Sequence, residues 1–148
     1  MSETPAAPRR VILGFTGVLR SGKDSAAAAL LEDGATRVSF ADVIRDFLYR
    51  LDPVVVHHGV TYRLALLVDA LGWEVCKDTY PEVRGLLQRC GTDAGRKVLG
   101  DDVWVNAAMA GLPPGDVVVS DVRFPNEADA IRAGGGFIVR VERPGYTA

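Results

Sequence analysis

Near-continuous apolar runs alternate with stretches of helical periodicity along most of this chain. Val11-Ile12-Leu13-Gly14-Phe15-Thr16 is apolar almost without a break, as a central parallel strand buried on both faces requires. Strong helix formers follow from about Gly22 to Leu31, with Gly34 as the C-cap. Thr36-Arg37-Val38-Ser39-Phe40 alternates and is β-branched, which predicts a short second strand. From Ala41 to about Leu51, the residues Ile44, Phe47, Leu48 and Leu51 form an apolar stripe, while Asp42, Arg45, Asp46 and Tyr49 share another face. Asp52-Pro53 breaks that helix.

The middle of the chain is less regular. Residues 54–62 are β-rich but interrupted by His57-His58-Gly59, which suits a small hairpin or a loop. Arg63 to Leu71 reads as a helix stopped by Gly72, and Trp73 reads as a packing residue. Pro81 opens a further helix that runs to Cys90 and carries Arg84 and Gln88 on one face. Gly91 and Gly95 are expected to loosen the segment from Thr92 to Lys97. Asp101 or Asp102 caps a helix from Val103 to Met109. Asp116-Val117-Val118-Val119-Ser120-Asp121 is a second buried strand, this one ending in an aspartate. A helix from Pro125 through Arg132 and a last strand from Phe137 to Glu142 complete the pattern.

Strand and helix alternate in this way in an α/β fold, a doubly wound, mainly parallel sheet with helices on both faces. Residues 1–10 are expected to form a flexible N-terminal tail and residues 11–148 a single domain. Composition changes little. The chain has 148 residues, 48% of them hydrophobic and 24% charged, which is ordinary for a globular protein. A formal net charge of −2 lends no support to binding of a nucleic acid polymer. Cys76 and Cys90 do not form a metal-binding pair with any further Cys or His, so they read as reduced thiols. No apolar run approaches the roughly 20 residues that span a bilayer, and no signal-peptide core is present. These features predict a cytoplasmic protein.

The chemistry concentrates at Gly17-Val18-Leu19-Arg20-Ser21-Gly22-Lys23-Asp24-Ser25, between the first strand and the first helix. That context is the one a phosphate-binding P-loop needs. Loop amides and the unpaired amides of the first helical turn converge there, and the helix dipole adds positive potential. Lys23 would reach the outer phosphates of a nucleotide. Asp24 stands where a Ser or Thr usually meets Mg²⁺, with Ser25 one position later, and either could serve the metal shell. The strand ending at Asp121 has the Walker B form, in which a carboxylate orients Mg²⁺ or its waters. Arg123 follows at the same sheet edge, where ligands bind in open α/β sheets, and Asp42 lies just after another strand end.

Taken together, G-x-x-R-S-G-K-D-S, F-A-D-V-I-R-D, E-V-R-G-L-L-Q-R-C-G-T-D-A-G-R, G-D-D-V-W-V and S-D-V-R-F-P-N-E-A-D-A-I resemble the deoxynucleoside monophosphate kinases encoded by tailed phages, especially phages of actinobacterial hosts. The resemblance runs from about Val11 to Pro144. It implies a P-loop kinase fold and transfer of the γ-phosphoryl of ATP, with Mg²⁺, to a deoxynucleoside monophosphate. It implies that Gly17, Arg20, Ser21, Gly22, Lys23, Asp24 and Ser25 hold the ATP phosphates. Lys23, Arg96, Asp121 and Arg123 are then the catalytic candidates. Asp24, Ser25 and Asp121 are the metal candidates, and Asp42, Arg45, Arg84 and Gln88 face the acceptor. Arg89, Arg96 and Lys97 would belong to a closing lid. The family continues beyond the strand equivalent to Phe137–Glu142, so this chain is expected to lack the usual last strand and helix. A homodimer is left open. Two other readings stay in play: a kinase of another small acceptor such as dephospho-coenzyme A, and an ATP-binding protein without transferase activity.

Overall fold

The structure is a computed structural model that describes residues 10–18 and 21–145. Its elements run in the order β1 (Ile12–Thr16), α1 (Lys23–Glu32), β2 (Thr36–Val38), α2 (Phe40–Leu51), β3 (Val54–His57), β4 (Val60–Arg63), α3 (Leu64–Thr79), α4 (Pro81–Gln88), a π-helical stretch (Arg89–Arg96), α5 (Lys97–Leu99), α6 (Val103–Ala110), β5 (Val117–Val119), α7 (Pro125–Ala133) and β6 (Phe137–Arg140). The chain divides into two compact units, Met1–Phe40 with Val105–Ala148, and Ala41–Trp104.

The first unit holds a four-stranded sheet in the order β2-β5-β1-β6, with every neighbouring pair parallel. The uninterrupted apolar runs occupy the two inner positions, where both faces are covered. Ile12, Leu13 and Gly14 lie opposite Val117, Val118 and Val119, and all three valines are buried. On one face, Ala27 of α1 packs against Phe15 and Val118. On the other, Ile131 of α7 closes over Gly14, where an added Cβ would come within 2.7 Å of both Ile131 and Ile138. Helices on both faces of a parallel sheet give the three-layer P-loop architecture the sequence predicts. The edge strand β6 leaves Phe137 and Val139 exposed. The predicted strands over 36–40, 116–121 and 137–142 are each shorter in the structure, and Phe40 already belongs to α2.

The second unit is built on Leu48, Val55, Leu64, Leu67, Cys76 and Val83, with Trp73 and Cys90 packed at its margin. Burial raises the thiol pKa of both Cys76 and Cys90, which keeps them protonated. Residues 54–63 form the antiparallel hairpin β3–β4, turned through His58 and Gly59 at φ 50° and 77°. Glu82 accepts the Val56 amide at 2.7 Å. Gly72 does interrupt helical geometry, at φ 78° and ψ 160°, but the helix resumes at once and continues to Thr79. Gly91 and Gly95 do not form the loosened segment expected of glycines here. Both are buried packing positions inside the π-helical stretch. A Cβ on Gly95 would sit 2.5 Å from the Trp104 indole, and one on Gly91 would meet Ile44 at 3.1 Å. The Trp104 indole N–H donates to the Gly91 carbonyl at 2.8 Å, satisfying a backbone group in a helix whose bonding pattern has shifted.

Candidate phosphate-binding site

In the first unit, β1 delivers the chain at Gly17 and α1 carries it away from Gly22. Gly17 lies so close to its neighbours that a Cβ there would be 2.5 Å from the Val141 carbonyl oxygen and 2.8 Å from Ser21 Oγ. Gly22 is the N-cap of α1 in left-handed geometry, φ 95° and ψ 11°, which glycine adopts without steric cost. Among the described residues no side chain caps α1, which leaves its first-turn amides as donors. A backbone bond of 3.1 Å from Ser21 N–H to the Val18 carbonyl tightens the loop.

Two polar atoms at this end of the sheet lack partners among the described residues. Ser21 Oγ and Asp121 Oδ1 are both buried without a hydrogen bond. Leaving such a group unpaired costs about 1–3 kcal/mol, and the residues that do this are the ones expected to meet phosphate and metal. The other oxygen of Asp121, Oδ2, accepts a 2.6 Å hydrogen bond from the Ser39 hydroxyl. Lys23 is half-buried and forms no ion pair among the described residues. Asp24 and Ser25 are exposed in the first turn of α1. Arg20 lies outside the described residues.

Three further residues at this edge escape a sequence reading. Arg37 on β2 donates through Nε to Ser120 Oγ at 3.0 Å and reaches Asp24 with an ion pair of 3.5 Å. Ser39 holds Asp121 as described. Glu127 is buried, and its Oε2 accepts the amides of Arg123 at 2.7 Å and Phe124 at 3.0 Å. This is the side-chain-to-backbone half of a capping box, from a glutamate at the third position of α7 behind Pro125. That Pro-x-Glu spacing was the available signal. The Arg123 side chain is exposed beside the loop so formed.

The acceptor candidates lie in the second unit, where Asp42, Arg45 and Arg84 are held in ion pairs. Arg45 pairs with Asp42 at 3.0 Å and with Glu74 at 3.5 Å, and Lys77 pairs with Glu74 at 2.7 Å. The hydrogen bond from Lys77, with Arg45 adding attraction, lowers the Glu74 pKa. Arg84 donates to the Lys77 carbonyl and pairs with Asp78. Gln88, one turn further on, is exposed. Lys97 pairs with Asp93 at 2.8 Å, while Arg96 is partly buried in the π-helical stretch.

A parallel sheet whose central strand feeds a glycine-bounded loop and helix, with a strand-end aspartate next door, is the arrangement of a P-loop NTPase-like three-layer fold. No protein-family model matches the chain. A protein of Acanthamoeba polyphaga mimivirus named deoxynucleotide monophosphate kinase is 31% identical over 156 aligned residues, spanning 93% of this chain and 77% of that protein. At that identity and coverage the chain belongs to the same family, one of nucleotide kinases. Among the described residues, no helix is long and apolar enough to cross a membrane.

Proposed function

We propose that the chain transfers the γ-phosphoryl group of ATP to a deoxynucleoside monophosphate. The observation that carries this reading is the pair of buried atoms, Ser21 Oγ and Asp121 Oδ1, that have no partner among the described residues, beside the N-terminus of α1. An oxygen of the acceptor phosphate attacks the γ-phosphorus, the bond to the β–γ bridging oxygen breaks, and ADP leaves with the electron pair. Because the attacking oxygen is already ionised, alignment and charge stabilisation supply most of the catalysis.

In this reading the α1 amides and Ser21 Oγ bind phosphate oxygens, and Lys23 neutralises charge on the moving group. Mg²⁺ would be held by Asp121 with Asp24 or Ser25 and would supply positive charge that stabilises the phosphates. Asp121 Oδ1 fits a metal-bound water, and Ser25 or Asp24 fits the first-turn side of the shell. No group of three or more His, Cys, Asp and Glu suited to a metal occurs among the described residues, and Mg²⁺ commonly needs only one or two carboxylates beside waters and phosphates. Arg123 faces phosphate, and Arg96 supplies charge from the lid segment. Asp42, Arg45, Arg84 and Gln88 bind the acceptor, with the arginines exchanging carboxylate partners for phosphate.

The test is incubation with Mg-ATP and each of the four common deoxynucleoside monophosphates, with Lys23→Ala as control. A nucleoside diphosphate whose formation needs Lys23 is expected. Transfer only to a different small acceptor would assign another kinase activity, and ATP binding without any transfer would refute the kinase reading.

A further inference from the structure

We infer that Ser39 is a positioning residue for Asp121: it occupies one carboxylate oxygen so that the other, Oδ1, is the one offered to the metal shell. The inference rests on the proposed Mg-ATP reading and assigns a role to a residue outside the phosphate loop. The Ser39 hydroxyl donates to Oδ2 at 2.6 Å, the short length of a charge-assisted bond, while Oδ1 is buried and unpartnered. A carboxylate can rotate about its terminal torsion, which is broad and roughly two-fold. One fixed oxygen removes that freedom.

The loop carrying Asp121 is held from its other side as well. Glu127 gathers the Arg123 and Phe124 amides onto one oxygen, and the Val122 amide bonds the Phe15 carbonyl at 3.1 Å. Backbone position is thus fixed by Glu127 and β1, and carboxylate orientation by Ser39. Ser39 reaches this point because β2 lies directly beside β5, with Val38 opposite Val119. Continuing that parallel register places Ser39 next to Ser120 and within reach of Asp121. A serine also suits the position before α2, so a purely structural role is the competing explanation.

The experiment is calorimetric titration of ATP at trace and at saturating Mg²⁺ into the full chain, comparing wild type with Ser39→Ala, Ser39→Thr and Asp121→Asn, alongside ligand-free melting temperatures. Ser39→Ala is expected to weaken the Mg²⁺-dependent enhancement of ATP affinity about tenfold while leaving metal-free ATP binding unchanged. Ser39→Thr, which keeps the hydroxyl, is expected to restore it. A helix-capping role alone would lower the melting temperature without touching the Mg²⁺ dependence, and that result overturns the inference. If Asp121→Asn abolishes the enhancement while Ser39→Ala preserves it, the positioning role fails and the Mg-ATP reading stands. If Asp121→Asn has no effect, or wild type does not bind ATP, the underlying reading fails and this inference falls with it.

Discussion

The sheet unit and the helical unit treat their polar groups in opposite ways. At the sheet edge, Ser21 Oγ and Asp121 Oδ1 are buried and have no hydrogen-bond partner among the described residues. In the helical unit, Asp42, Arg45, Glu74, Lys77, Asp78 and Arg84 are tied together in exposed or half-exposed ion pairs. The energetic consequences differ. A buried unpaired oxygen is a standing cost that a ligand can relieve. An exposed ion pair contributes about 0–1 kcal/mol, so a phosphate can replace one partner at little loss. In the proposed reading the first unit is thus prepared for its ligand, and the second is able to exchange internal partners for one.

The sharpest break in that comparison comes from Lys23→Ala, which removes a loop cation that has no ion pair among the described residues. Phosphoryl transfer is expected to fall about 10²–10³-fold, the loss typical of a single charge-stabilising group, as read from initial rates. In the helical unit, Gly95→Ala should cost about 1–3 kcal/mol by overpacking. Its Cβ would enter the Trp104 ring at 2.5 Å, and chemical denaturation reads the cost.

Ser21→Ala tests the standing cost directly. Deleting the unpaired hydroxyl should leave the ligand-free protein as stable as wild type, or more stable by up to about 1 kcal/mol, while weakening ATP binding. A variant that loses both stability and affinity would mean the hydroxyl has a structural partner. On the other side of the comparison, Glu74→Gln frees Arg45 from one competitor. The KM for the acceptor should drop about two- to threefold at low ionic strength and return toward wild type in high salt.

The smallest effect concerns acid. Asp52 Oδ1 accepts the Ala65 amide at 2.8 Å and Oδ2 accepts Arg63 Nε at 2.8 Å. Above all the Ala65 amide, together with Arg63, lowers the Asp52 pKa against opposing desolvation. A lowered folded pKa means that the stabilisation is present above the unfolded carboxylate value and is lost as pH falls through the folded one. Melting temperatures of Asp52→Asn should therefore fall less than those of wild type between neutral pH and the acid limb.

Much of the sheet was legible in the sequence because its strands are extreme. Ile12, Gly14 and Phe15 of β1 and all of Val117 to Val119 are buried, and a mainly apolar run suits such positions. The tight turn from β1 into α1 was legible because Gly17 and Gly22 answer local backbone demands. The helical unit was harder. Gly91 and Gly95 look like flexible points along the chain, yet they are small because Ile44 and Trp104 lie against them. Arg37, Ser39 and Glu127 were missed as site residues because their importance comes from neighbours distant in sequence or from a carboxylate turned back onto backbone amides. The kinked continuation of α3 past Gly72 was hidden by a glycine that does leave helical geometry, but for a single residue.

The most direct test of the central claim is calorimetric titration of Mg-ATP into wild type and Lys23→Ala. The account predicts saturable one-site binding to wild type that the substitution weakens at least about tenfold, the loss expected for one charge-assisted phosphate contact. Absence of binding to wild type, or equal binding by both proteins, would contradict the assignment of the Gly17–Ser25 loop as the nucleotide site.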